Sequence, residues 1–237
     1  NLRYSKKMTE RKLVNLGPKI GLVVLPEKVI SKLIKITDKT VNTNEDYGYS
    51  LAGQIANQKI LDEKDLGEIW NLLTEEISIY LREVLRDLDP AFDKKSPLYK
   101  NLEIKAVIDS MWTVSQFKNE YNPVHFHSGM EAYDLSTNCQ LSSVMYLKTP
   151  KISVRELGES KKQKRSSDQN SPDGAIDFIS SGYGHPFLSL SKGTRRFRPV
   201  VGHLFIFPSW LLHTVYPFIG EGERRSISFN SSYKIKN

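Results

Sequence analysis

The chain has 237 residues, 39% of them hydrophobic and 26% charged, which excludes a disordered polar chain and allows one large domain over residues 1–237 with a well-buried core. No apolar run approaches the ~18 residues of a membrane helix, the stretch Asn1 to Lys19 has no apolar leader, and a lone Cys139 rules out an internal disulfide, so a reducing, cytoplasmic setting is expected. The formal charge of +7 is dispersed, with local clusters at Lys161, Lys162, Lys164 and Arg165 and at Arg195, Arg196 and Arg198, which reads as solvated surface rather than a nucleic-acid interface.

The first hundred residues read as mainly helical support. Pro26 and Glu27 suit a first helical turn, and Val29, Ile30, Leu33, Ile34 and Ile36 follow at helical spacing. A longer helix is expected from about Asp62 to Leu88. Its apolar stripe is Leu66, Ile69, Leu73, Ile77, Tyr80, Leu81, Val84 and Leu88. Asp62 is the expected N-cap, with Asp65 in the first turn, and Asp89-Pro90 ends the helix.

From Glu103 onward the texture changes to strands. Ile104, Ala106, Ile108, Ser110, Trp112 and Val114 alternate with mostly polar neighbours. Further strands are expected at Gln140–Lys148, Gly174–Ile179, Pro186–Leu190, Gly202–Phe207 and Arg224–Asn230. Short strands broken by Gly, Pro and Ser loops imply a sandwich or barrel over 101–237. Residues 155–174, rich in Lys, Ser, Gln and Asp, are expected to form a mobile loop, either a lid or an idle insertion.

Five histidines are present. Two lie in Asn122-Pro123-Val124-His125-Phe126-His127, where extended backbone turns both rings the same way. A third, His213, follows Phe207-Pro208-Ser209-Trp210-Leu211-Leu212. Two paired ligands on one strand and a lone ligand on another can supply one face of an octahedral metal ion, leaving the opposite face open. Further on comes Arg224-Arg225-Ser226-Ile227-Ser228-Phe229-Asn230, with Arg224, Ser226 and Ser228 on one face and Ile227 and Phe229 on the other. Arginine is suited to fixing a carboxylate, because it is planar, bidentate and always charged. Plainer readings stand beside these. The His-x-His pair fits surface histidines, and Arg224 and Arg225 fit surface charges after a Gly turn. His185 fits a turn, His203 a packed or solvent-facing position, and Cys139 an ordinary thiol. Trp112, Trp210 and Phe207 fit core positions.

Taken in order, Asn-Pro-Val-His-Phe-His at 122–127, Leu-Ser-Ser-Val-Met-Tyr-Leu at 141–147, Gly-Ala-Ile-Asp-Phe at 174–178, Phe-Pro-Ser-Trp-Leu-Leu-His at 207–213 and Arg-Arg-Ser-Ile-Ser-Phe-Asn at 224–230 resemble the Fe(II)/2-oxoglutarate-dependent oxygenase superfamily. Within it they resemble an uncharacterised bacterial and phage branch. The resemblance implies a double-stranded β-helix, a cupin-like jelly-roll barrel, that uses Fe(II), 2-oxoglutarate and molecular oxygen. It implies His125 and His213 as metal ligands, and Arg224 as the anchor of the distal carboxylate of 2-oxoglutarate, with Ser226 or Tyr146 assisting. The superfamily's common His-x-Asp is replaced here by His-x-His. The third ligand is therefore His127, a carboxylate such as Glu131, Asp134 or Asp177, or absent, with Gly129 in its slot as in Fe(II) halogenases. The three-histidine face is the favoured reading. Hydroxylation of a small molecule or a protein side chain is the expected reaction. The rivals are a three-histidine cupin-like dioxygenase without 2-oxoglutarate and a non-enzymatic jelly-roll binding protein.

Overall fold

Strands whose two faces are both covered by protein lose the apolar–polar alternation of a solvated strand. This governs the centre of the molecule. The computed structural model describes residues 17–88, 103–127, 139–152, 173–180 and 193–236. Twelve strands are formed among them: β1 (Gly21–Val24), β2 (Asn57–Leu61), β3 (Glu103–Gln116), β4 (Asn122–His125), β5 (Leu141–Lys148), β6 (Lys151–Ile152), β7 (Ile176–Ile179), β8 (Thr194–Phe197), β9 (His203–Pro208), β10 (Leu212–Val215), β11 (Gly220–Glu221) and β12 (Arg224–Lys236). The helices are α1 (Glu27–Thr43), α2 (Glu63–Leu66) and α3 (Glu68–Leu88).

A six-stranded antiparallel sheet runs β1-β9-β5-β12-β3-β2, and a four-stranded sheet runs β4-β10-β7-β8. Two cores result. On β5 and β9, Met145, Leu147, Leu204 and Ile206 turn to the helix side, where they meet Leu33, Leu73 and Ile77. The intervening Val144, Tyr146, Phe205 and Phe207 turn to the other sheet and meet Ile176, Phe178 and Val215. On β12, Ile227 and Phe229 pack on the helix side, as the sequence spacing implies. The helix-side core fixes the large sheet, and the inter-sheet core fixes its distance from the small sheet that carries two of the histidines.

Asp62 does cap a helix. Its Oδ1 accepts from the backbone N–H of Lys64 and Asp65, while the Asp65 carboxylate accepts from the Asp62 N–H. The single helix expected over 62–88 is in fact two, because Gly67 adopts φ 55° between α2 and α3. The apolar spacing continues across that break, which hides it in the sequence. The stripe also ends early, since Leu88 is 65% exposed. The first hundred residues contribute β1 and β2 as well as helices, and these are the two edge strands of the large sheet. The expected strand at Pro186–Leu190, His185 and the loop through residue 172 lie outside the described residues. Trp112 and Phe207 are buried as expected, but Trp210 is 59% exposed on the turn before β10.

Candidate metal and co-substrate site

The site begins with one cross-strand pair. β4 and β10 run antiparallel with His213 opposite His125, and their ring centroids lie 4.3 Å apart. His127 is two residues beyond His125, on the same side. Its backbone N–H donates to the Ser209 carbonyl at 2.9 Å, which carries the pairing past the end of β4. The His127 ring lies 5.4 Å from that of His125 and 5.2 Å from that of His213. One ligating atom from each of the three rings falls within 4.8 Å of the others.

Each ring is held through Nδ1. His125 Nδ1 is 2.7 Å from the Pro123 carbonyl, and His213 Nδ1 is 2.9 Å from the Leu211 carbonyl. Both histidines thus use the carbonyl two residues back. His127 Nδ1 is 2.8 Å from Asn230 Oδ1. A carbonyl oxygen only accepts, so the proton sits on Nδ1 in all three rings and the Nε2 lone pairs are free. Burial, followed by the neighbouring His125, holds His127 down to about 4. Burial and then His125 and His127 hold His213 down to about 3, and burial lowers His125 as well. Three neutral imidazoles with oriented lone pairs suit a divalent first-row metal ion.

Trp112 stacks beside His127, with centroids 6.0 Å apart and planes 19° apart. The remaining candidates lie on β12. Arg224, Ser226, Ser228 and Asn230 share one face of that strand, so the face that holds His127 continues along β12 to Arg224. Arg224 is 2% exposed. One of its terminal nitrogens donates to Gln116 Oε1 at 2.8 Å, and its guanidinium carbon lies 4.8 Å from the Tyr146 ring centroid. Its Nε and other terminal nitrogen have no hydrogen-bond partner among the described residues, and neither has the Tyr146 hydroxyl. Burial raises the Tyr146 phenol, keeping it a neutral donor. Buried donors left in this state are costly unless an acceptor completes them. Three of them around one guanidinium fit a carboxylate. The donor set therefore fits both groups that the sequence motifs imply.

Neither arginine of this pair is a surface charge. Arg225, on the helix side, is 5% exposed and ion-pairs with Glu223 and with Asp38 of α1. Asp177 does not join the histidines. It pairs opposite Thr214 rather than His213, binds Arg196 through both carboxylate oxygens and accepts from the Tyr216 hydroxyl. Glu131, Asp134 and Gly129 lie outside the described residues. Sequence reasoning missed Asn230 and Gln116. The first closes a motif whose chemistry lies at its other end, and the second ends β3 without any chemical signature.

The histidines open into a cavity of about 910 Å³ whose walls include Trp112, Phe207, Ser228 and Asn230. Residues 110–230, just over half of the chain, match the family model described as "Putative 2OG-Fe(II) oxygenase". The chain belongs to the 2OG-Fe(II) oxygenase family. Fe(II) and 2-oxoglutarate are accordingly its cofactors, molecular oxygen is its oxidant, and it stands apart from cupin-like dioxygenases that work without 2-oxoglutarate.

Solved oxygenase structures resemble this 2OG-Fe(II) oxygenase at low identity. HygX from Streptomyces hygroscopicus, with nickel, 2-oxoglutarate and hygromycin B bound, is 12% identical over 91% of this chain and 83% of that chain, with a TM-score of 0.50. A viral collagen prolyl hydroxylase from Paramecium Bursaria Chlorella virus-1, in complex with 2OG, is 14% identical over 90% and 94%, with a TM-score of 0.49. A Pseudomonas putida prolyl-4-hydroxylase is 14% identical over 93% and 94%, with a TM-score of 0.45. The likeness is one of fold, the double-stranded β-helix. No curated protein matches the chain. No helix among the described residues is long and apolar enough to cross a membrane.

Proposed function

We propose that this oxygenase is a hydroxylase in which His125, His127 and His213 hold Fe(II) through Nε2 and Arg224 holds the distal carboxylate of 2-oxoglutarate. The observation that carries the reading is the convergence of one ligating atom from each of the three rings to within 4.8 Å, with every Nδ1 occupied by a carbonyl so that Nε2 is left for a metal. When bound, Fe(II) and 2-oxoglutarate supply the oxidising chemistry, one oxygen atom of O₂ entering the substrate and the other entering succinate as CO₂ leaves. The chain's own residues orient and exclude. Pro123, Leu211 and Asn230 set the three ring tautomers. Gln116 fixes one arm of Arg224, while its amide donates to the carbonyls of Glu120 and Tyr216. Arg224 then offers two remaining donors, with Tyr146 beside it and Ser226 buried on the same face. Phe178, Phe207 and Val215 keep water from one side of the metal locus. Residues 101–237 would form the catalytic core, with 1–100 as its support.

Anaerobic Fe(II) titration of the His213→Ala and His127→Ala variants tests the assignment. Each should lose stoichiometric iron and substrate-dependent succinate release. Full iron binding without His213 would overturn the site, and full activity without His127 would reopen the third ligand to Asp134.

A further inference from the structure

The side of the cavity away from Arg224 carries a second recognition element. β3 and β12 are in regular register up to Ser110 opposite Asn230, and the next pair is Ile108 opposite Ser231. Asp109 is the extra residue of a β-bulge. Ile108 and Met111 both pack on the helix side, and the bulge turns Asp109 and Ser110 together into the cavity. The Asp109 carboxylate is braced there. Its Oδ1 accepts from Ser232 Oγ at 2.8 Å and its Oδ2 from the Cys139 N–H at 3.1 Å. Each oxygen keeps a further lone pair for a ligand.

Aromatic rings lead from the surface to the histidines. Tyr49, 81% exposed, meets Tyr47 at 6.5 Å, Tyr47 meets Trp112 at 5.6 Å, and Trp112 stacks on His127. Among the described residues that line the cavity, Asp109 is the only Asp, Glu, Lys or Arg. The chain as a whole carries +7. Asp109 is itself exposed at the cavity rim, so its carboxylate and the π faces act on a bound molecule by direct contact rather than at long range.

We propose that the substrate is a cation, an ammonium or guanidinium group that sits against Asp109 and the aromatic wall while a neighbouring C–H bond faces the three histidines. This rests on the hydroxylase reading above. The reaction balances as one C–H bond becoming C–OH with one atom of O₂, the other atom entering succinate, and 2-oxoglutarate losing CO₂. The cation is carried either by a free amine or guanidine or by a Lys or Arg side chain of a peptide.

The test is calorimetric titration of the intact chain, both metal-free and loaded anaerobically with Fe(II) and 2-oxoglutarate. The probes are butylammonium, butylguanidinium, neutral pentanol, anionic butyrate, and tripeptides with Lys, Arg or Glu at the centre. Cationic probes should bind at least about tenfold more tightly than their neutral or anionic counterparts, consistent with one charged hydrogen bond. Preference confined to the free amines, or to the peptides, identifies the source. Asp109→Asn should lose about three- to tenfold of that preference, and Tyr49→Ala, at an exposed position where folding is insulated, about two- to fivefold. Equal binding of neutral probes, no cation binding below millimolar, or unchanged preference in both variants overturns the proposal. A separate anaerobic titration of Fe(II) and 2-oxoglutarate, followed by its charge-transfer absorption, reports on the hydroxylase reading alone. Absence of that band would sink the hydroxylase while leaving the calorimetric result on the cation intact.

Discussion

Asn230 Oδ1 and His127 Nδ1 lie 2.8 Å apart, although 103 residues separate them. The contact joins the strand that carries Arg224 to the histidine that stands where the superfamily usually places a carboxylate. In the proposed three-histidine site a neutral third ligand leaves more of the metal ion's charge to the co-substrate, and the imidazole is oriented by a hydrogen bond rather than by a charge of its own. Asn230 provides that orientation.

Asn230→Leu should weaken Fe(II) affinity by about ten- to a hundredfold, the usual cost of removing a group that orients a metal-bound histidine. Anaerobic competition against a metallochromic chelator reads the change. Asn230→Asp should retain binding or strengthen it, because a carboxylate accepts the same Nδ1–H and makes the imidazole more basic. Equal affinity in wild type and Asn230→Leu would mean that the contact does not position the ring.

The acid stability of the metal-free protein follows from the same cluster. His213 and His127 titrate in the folded chain at about 3 and about 4, against an unfolded value near 6.5. Between those values the unfolded chain binds more protons than the folded one. The stability linked to this cluster is therefore fully present above about pH 6.5 and is lost as pH falls toward 4. The melting midpoint should drop from pH 6.5 to pH 5, a window in which ordinary carboxylates stay ionised. His127→Asn should flatten that slope. A midpoint independent of pH across the window, with and without His127, would contradict the buried neutral cluster.

The features legible in the sequence were those carried by strand alternation. His125 and His127 two apart, and Arg224 and Ser226 two apart, declare their shared faces without any tertiary knowledge, and the structure keeps both alternations. Features set by long-range packing were not legible. β1 is only four residues long, too short to distinguish from a loop, and β2, Asn57-Gln58-Lys59-Ile60-Leu61, is mostly polar because it is an edge strand. Gly67 sits inside an unbroken helical period, so only its φ exposes the break. Arg225 reads locally as a solvent-facing neighbour of Arg224, because nothing nearby in the sequence announces a partner as distant as Asp38.

That burial makes Arg225 a stability residue. It bonds Glu223 through Nε and its second terminal nitrogen, and it ties β12 to α1 through Asp38, which Lys148 also contacts. The Asp38 carboxyl is held below its usual range, chiefly by its hydrogen bond to Lys148 and also by Arg225, against the opposing effect of desolvation. Arg225→Ala leaves Glu223, whose side chain is 15% exposed, without its main partner. A loss of about 2–3 kcal/mol is expected from the broken charged hydrogen bonds. Urea denaturation measures it. A change under about 0.5 kcal/mol, the level of an ordinary surface substitution, would refute the clamp.

Arg224 gives the complementary expectation, and the two arginines together test the strand register. Arg224 contacts Gln116 and the Tyr146 ring on the barrel side, and its Nε and second terminal nitrogen point to no acceptor among the described residues. Arg224→Ala should weaken 2-oxoglutarate binding by about ten- to a hundredfold, corresponding to about 1.5–3 kcal/mol for a charged hydrogen bond. Its effect on stability combines the lost Gln116 bond and the space it vacates with removal of unsatisfied donors, so affinity is compared at a temperature where the variant stays folded. Arg224→Lys should bind at an intermediate level, since it keeps the charge but loses the planar fork. Gln116→Leu should weaken the co-substrate by a smaller factor, because the guanidinium loses the acceptor that fixes its plane. Arg225→Ala should instead show lowered stability and nearly unchanged co-substrate affinity at a temperature where it stays folded. Anaerobic Fe(II) titrations, read from the charge-transfer absorption, separate the two. If Arg225→Ala loses the co-substrate while Arg224→Ala keeps it, the face assignment on β12 is wrong by one residue. If neither does, the distal carboxylate is held elsewhere.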